Sequence, residues 1–235
     1  SVEPLPQTIQ IEQAAPLLDP SDPSIALRAG RQQLDETRFD TIGRSLISQV
    51  TDMPGWLLEA NAILHPRGSE YDTQYVIDGV PVYDNRSIGF APAFEVDEFE
   101  SIQVSVAGVP AEFGRRLGGV VELFPRRASG FGHHPEVMTQ GGSFGTFYGS
   151  AADHYQGDRN SFSLGARGGR TNRYLDPPSL DNFTNSATQA GFFARYERDL
   201  TSKDRLTFFG RSNRVSFLVP NDLEQQAFGQ RQDRR

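Results

Sequence analysis

The sequence predicts an α+β domain with a small mixed β-sheet, followed by antiparallel strands of an incomplete transmembrane β-barrel. Three observations lead there. Residues 71–124 read as short strands joined by glycine-rich turns. Beyond residue 128, longer strands alternate apolar and polar residues. The connections between those longer strands are short at one end and long at the other.

Residues 1–33 read as an extended arm or linker. Pro4, Pro6, Pro16, Pro20 and Pro23 crowd its first part, and little there could pack. Within it, Gln7, Thr8, Ile9, Gln10 and Ile11 form a short β-prone string. Between Ser24 and Val50 the apolar residues keep no single period, but Ile42, Leu46, Ile47 and Val50 fit a short amphipathic helix ending before Pro54-Gly55. Trp56, Leu57, Leu58, Ile63 and Leu64 are expected to supply core, and Arg67-Gly68 to open the first strand-turn unit.

Tyr75-Val76-Ile77, Asp78-Gly79 and Val80-Pro81-Val82 spell a tight hairpin, because Asp-Gly supplies the two positive-φ positions of a two-residue turn. Pro81 cannot donate to a ladder, which places it on an edge or at a bulge. A polar loop follows, with Tyr83, Asp84, Asn85, Arg86 and Ser87. Glu95, Asp97, Glu98 and Glu100 then gather as a carboxylate cluster without the spacing of a calcium loop, and are expected to form a solvated acidic helix start. Ile102, Val104 and Val106 alternate with Ser101, Gln103 and Ser105 as a strand with one buried face. Gly108, Gly114, Gly118 and Gly119 are too dense for a helix, and Val120, Val121 and Leu123 resume the strand character.

Residues 125–130 read as a linker. Candidate strands follow at residues 136–140, 146–155, 161–168, 189–198 and 205–213. Phe162, Leu164 and Ala166 share one face of the third, opposite Ser161, Ser163, Gly165 and Arg167. The fourth sets Phe192, Ala194 and Tyr196 against Phe193, Arg195 and Glu197. An outward apolar face and an inward polar one is the pattern of an outer-membrane barrel. Residues 156–159 and 202–204 make short turns, whereas residues 170–188 and the tail from Pro220 are long and polar. Such barrels keep short turns on the periplasmic rim.

Residues 67–121 also carry a resemblance. Arg67-Gly68, then Val76-Ile77-Asp78-Gly79-Val80-Pro81, Glu100-Ser101-Ile102-Gln103-Val104, Gly108, Pro110-Ala111-Glu112-Phe113-Gly114 and Gly118-Gly119-Val120-Val121 stand in the order and spacing of a plug domain. The whole resembles that of TonB-dependent outer-membrane receptors. Gln103-Val104 replaces the family's usual Glu-Val, Val109 splits its Gly-Pro, and Glu122-Leu123-Phe124 ends the motif less polar than usual, which leaves subfamily and ligand open. The resemblance implies a plug at residues 34–127 and the first barrel strands at residues 128–235. It also implies a Ton box, at residues 7–11 or upstream, that adds as a strand to the TonB energy-transducing complex. Arg67 would contact the barrel wall, and the loop at residues 83–87 would touch an unknown extracellular ligand. The protein would lie in outer-membrane lipid with its arm in the periplasm.

Composition narrows the alternatives. The 235 residues are 37% hydrophobic, with a mean hydropathy of −0.50. No run of about 18 apolar residues occurs, which excludes a transmembrane helix but not transmembrane strands. The 17 Phe and 23 Gly favour the barrel. With no cysteine there is neither a disulfide framework nor a thiolate metal site, and a net charge of −7 argues against nucleic acid. His133-His134 lacks a third ligand at a useful spacing, so no metal or cofactor is expected. No nucleophile elbow, Walker loop or zinc-protease motif is present, so no enzyme is expected.

A plugged transporter needs roughly 22 strands of about ten residues, and this chain has room for about five. It reads as the first part of a larger receptor that imports a scarce ligand, ending inside an extracellular loop. Two alternatives stay open. One is a structural or adhesive outer-membrane protein that transports nothing. The other is a soluble β-rich enzyme using the carboxylates at residues 95–100, which requires Phe162, Phe192 and Phe208 to face a protein core.

Overall fold

In the computed structural model, the described residues are 26–37, 39, 41–58, 64–66, 73–82, 94–106, 113, 119–128, 130–175, 184–230 and 233–234. They form two units. The first contains β1 (Ala26–Ala29), α1 (Arg31–Asp35), α2 (Leu46–Thr51), β2 (Trp56–Leu58), β3 (Leu64–Pro66), β4 (Gln74–Ile77), β5 (Val80–Val82), β6 (Phe99–Ser105) and β7 (Val120–Pro125). The second contains β8 (Gly132–Gly142), β9 (Thr146–Gln156), β10 (Asn160–Thr171), β11 (Ala187–Asp199), β12 (Arg205–Leu218), α3 (Leu223–Ala227) and β13 (Asp233–Arg234).

The hairpin of β4 and β5 turns on Asp78 (φ 50°) and Gly79 (φ 81°), the two positive-φ positions that Asp-Gly supplies, and Ile77 pairs with Val80 across it. The sheet order is β1-β6-β7-β4-β5, so Pro81 lies on an edge strand, where its missing N–H disrupts nothing. β7 runs parallel to β4 and antiparallel to β6, which makes the sheet mixed. Leu34, Leu46, Val50, Phe94, Val96, Phe99, Ile102, Val104, Val121 and Leu123 form its closed apolar core.

Several elements depart from the sequence reading. The helix starts at Leu46, with the Ser45 hydroxyl capping the Ile47 N–H; Ile42 lies outside it and packs with Tyr148 instead. Leu57 and Leu58 are exposed, Trp56 and Leu64 are buried, and Ile63 lies outside the described residues. The arm ascribed to residues 1–33 overlaps the folded unit, because β1 pairs with β6 over four residues and α1 follows it. Ala26–Ala29 is too short and too poor in large apolar residues to announce a strand; pairing with β6 makes it one. The acidic segment is a single 3-10 turn, Val96–Glu98, whose Glu95 and Glu98 are buried rather than solvated.

All five long strands are present and longer than expected. With the two-residue β13 at one edge they run β8-β9-β10-β11-β12-β13, antiparallel throughout, as an open six-stranded sheet. Turns at residues 143–145, 157–159 and 200–204 are short, and residues 172–186 form the long connection. The two faces differ as the alternation requires. On one face, Tyr148, His154, Ser163, Gln189, Phe193, Arg195 and Glu197 are buried beneath the first unit or within the layer that meets it. On the other, Val137, Phe147, Leu164, Phe192 and Phe208 are exposed.

The register places His133, Tyr155, Phe162, Tyr196 and Phe208 in one row across five strands of that outer face. The rings of Tyr155 and Phe162 stack at 5.1 Å, and His133 lies 4.7 Å from Tyr155. A ring row on an otherwise apolar outer face is what a membrane interface selects. No helix among the described residues is long and apolar enough to cross a membrane.

Leu123 is fully buried on the central strand. Leu123→Ala should lower the stability of the first unit by about 3 kcal/mol through the cavity it leaves. Denaturant unfolding followed by the fluorescence of Trp56 measures it.

Candidate functional site

The acidic turn was built to be met by something basic, and the long sheet supplies it. Glu95 and Phe99 flank the turn in extended conformation, so Glu98 projects from its end toward the inner face of the sheet. There the Glu98 carboxylate, 2% exposed, is held by the Arg167 guanidinium from β10 and by Arg211 from β12, whose Nε donates at 3.1 Å and Nη2 at 3.3 Å. The Arg211 guanidinium also lies over the Phe94 ring at 4.3 Å. Two arginines on one buried carboxylate, with an aromatic face behind one of them, offset the desolvation that burying a charge costs.

Glu95 is anchored differently. Its carboxylate accepts from the Arg44 backbone N–H at 2.7 Å and from Gln189 Nε2 of β11 at 3.2 Å. Burial pushes its pKa up to about 7, against the downward pull of Arg167 and of the Arg44 N–H. Asp97 pairs with the Arg44 side chain, which also donates to the Asp35 carbonyl at 2.7 Å. Arg31 of α1 donates to the Phe99 carbonyl at 2.6 Å, so two arginines of the first unit fix the turn from behind.

Residues 42–44 complete the docking. Gly43 donates its N–H to Gln140 Oε1 of β8 at 3.0 Å, and Gln189 also reaches the Ile42 carbonyl at 3.4 Å. Gly43 has φ 75°, and a Cβ there would run into the Glu95 carboxylate and the Tyr148 ring, so only glycine serves. A third contact lies at the hairpin: Arg195 Nη1 of β11 donates to Asp78 at 2.9 Å and its Nη2 to Glu197 at 2.7 Å, while Arg127 stands 3.3 Å from Glu197.

Of the residues singled out in the sequence, the structure places Asp78 and Gly79 in the hairpin turn, Pro81 on the edge and Gly119 against the Trp56 ring just before β7. Asp78 alone among them reaches the long sheet. Gln7, Thr8, Ile9, Gln10, Ile11, Arg67, Gly68, Tyr83, Asp84, Asn85, Arg86, Ser87, Gly108, Gly114 and Gly118 lie outside the described residues. What the sequence reading missed is the pairing of the carboxylate cluster with Arg167, Gln189 and Arg211. The available signal was the set of charged residues on inward strand positions, Arg167 and Arg195 among them, which an aqueous lumen alone does not require. The enzyme alternative requires Phe162, Phe192 and Phe208 to face a protein core; Phe192 and Phe208 are 50% and 61% exposed on the outer face, and Phe162 is half-buried between the Tyr155 and His133 rings of that same face.

No family model and no curated protein matches the chain. Solved structures do. The siderophore receptor PirA from Acinetobacter baumannii superposes with a TM-score of 0.67 at 16% identity, over 85% of this chain and 33% of that one. The ferric enterobactin receptor PfeA from Pseudomonas aeruginosa, in complex with enterobactin, gives 0.62 at 16% identity, over 82% and 33%. The pyoverdine outer membrane receptor FpvA from Pseudomonas aeruginosa PAO1 gives 0.65 at 14% identity, over 84% and 28%.

The chain has the fold of a receptor plug and its first barrel strands. It spans about a third of the length of the receptors it matches. In fold, the mixed sheet corresponds to the plug of those receptors and the long sheet to the first strands of their barrel wall, so the network around Glu98 stands where plug meets wall.

Removing Glu98 leaves Arg167 and Arg211 buried without their carboxylate, so Glu98→Ala should loosen the plug by about 3–5 kcal/mol. Hydrogen exchange at residues 94–106 reads it. Glu95 carries a raised folded pKa, so its contribution to stability is fully present below about pH 4.5 and is lost as pH rises through about 7. Glu95→Gln should flatten that part of the pH–stability profile.

Proposed function

We propose that the chain is the plug and opening barrel strands, residues 34–127 and 128–235, of a TonB-dependent outer-membrane receptor that imports a scarce ligand. The observation that carries this reading is the seated plug: a folded mixed sheet docked by buried charge pairs onto the polar face of a sheet whose other face is apolar and ringed with aromatics. A plug docked that way closes a pore and can be released without covalent chemistry.

Iron chelates are the ligand class that the solved neighbours favour, since PirA is a siderophore receptor and PfeA and FpvA were solved with enterobactin and pyoverdine. The polar loop at residues 83–87 is the expected contact with it on the outer face, and residues 7–11 the expected strand added to the TonB complex. Short turns at residues 157–159 and 200–204 would then face the periplasm, with the aromatic row near that interface.

Cells relying on the intact receptor should grow under iron limitation when supplied with ferric enterobactin, ferric pyoverdine or a related chelate, and should lose that growth when Thr8 or Ile9 is changed to proline, which removes a main-chain donor from the added strand. Growth unaffected by either substitution would remove the strand-addition role from residues 7–11. Failure to bind or import any chelate would favour a structural or adhesive protein.

A further inference from the structure

His154 is a titratable group that none of the contacts above uses. It lies on the inner face of β9, 2% exposed, and neither Nδ1 nor Nε2 has a hydrogen-bond partner among the described residues. Its ring stacks on Phe193 of β11, with centroids 6.4 Å apart and planes at 25°. The stack spans β10 because the Phe193 ring lies on Gly165, where any Cβ would collide with it. An imidazole so placed is held by its ring faces alone, as an uncharged group.

Its surroundings offer nothing to a second proton. Arg31 of α1 and Arg126 just beyond β7 are the cations that act on it. Both belong to the seating of the acidic turn: Arg31 donates to the Phe99 carbonyl at 2.6 Å, and the Arg126 N–H to the Glu98 carbonyl at 2.9 Å. Of the two carboxylates that act on it, Glu136 of β8 is taken up by both Nη groups of Arg126, and Asp153 of its own strand is on the outer face with His133. His134, its partner on β8, sets Nε2 against the Gly130 carbonyl at 3.2 Å. Arg195 of β11, in the same row, is engaged with Asp78 and Glu197. A charge on the ring would be buried, unpaired and close to two arginines.

We propose that His154 is an acid-sensitive latch: uncharged, it lets the first unit close on the inner face of the long sheet, and its protonation opens that seat. The proposal concerns the seating alone and does not require the transport reading. A histidine freed into water takes up a proton at about its ordinary pKa of 6.5, whereas the seated ring does not, so the seated state is fully favoured above that pH and loses ground below it. The loss in the seating equilibrium is about thirtyfold at pH 5. Glu95 acts in the opposite direction, since its contribution grows as pH falls through about 7. The two titrations therefore oppose each other in mildly acidic medium.

The test measures hydrogen-exchange protection of residues 94–106 in the intact receptor in detergent micelles, from about pH 7.5 to about pH 5, with Glu95→Gln removing the opposing titration. Protection, corrected for the intrinsic pH dependence of exchange, should fall about thirtyfold in Glu95→Gln. The fall should vanish when His154→Phe or His154→Leu is added, since neither side chain can charge, and persist when His134→Phe is added instead. A flat profile in Glu95→Gln, where His154 is intact, overturns the proposal whether or not the His154 variants seat. So does a fall that survives either His154 variant or disappears with His134→Phe.

Discussion

Glu98 between Arg167 and Arg211 is the interaction on which the arrangement of the two units depends. The barrel wall has a polar inner face, and the plug has to present a surface that matches it charge for charge. Apolar packing does only part of this, through Ile42 against Tyr148 and Phe209 against the first unit's core, because most of the plug's apolar residues are consumed in its own core around Ile102, Val104 and Leu123. The acidic turn therefore carries the docking. It is short enough to be held from behind by Arg31 and Arg44, and it stands next to β6, a strand paired on both sides, so its carboxylates are presented from a rigid base.

The secondary contacts follow from that one. Once the turn is seated, residues 42–44 are brought against β8 and β11, where Gly43 is required because no side chain fits between Glu95 and Tyr148. At the far edge the hairpin's Asp78 meets Arg195, the same Asp that the Asp-Gly turn needs for its backbone. One residue thus serves both the local turn and the long-range contact, which explains why a hairpin signal and a docking point coincide in the sequence.

Most of the fold was legible because its signals are local. The Asp78-Gly79 turn, the alternation of Ile102 and Val104, and the two-faced strands around Phe162 and Phe192 each declare themselves within a few residues. The docking network was not, because its partners are far apart in the chain: Glu98 and Arg211 are separated by 113 positions, Glu95 and Gln189 by 94. A cluster of carboxylates reads the same whether solvated or buried, and only the placement of its counter-charges decides. β1 escaped for the opposite reason. Four residues with a single large apolar side chain carry no pattern of their own, and the strand exists because β6 offers an unpaired edge.

The same energetics constrain how such a plug can leave its seat. An ion pair separated in a dry interface leaves two uncompensated buried charges, a loss of several kcal/mol. The pair separated into water loses about 1 kcal/mol or less, because each charge is solvated as it departs. Displacement of the turn is therefore feasible only where water can follow it. The cavity of about 480 Å³ beside Glu95 and Glu98 leaves room for water next to the groups that must be solvated. Any separation of Glu98 from Arg167 and Arg211 is thus coupled to hydration of the space beside them.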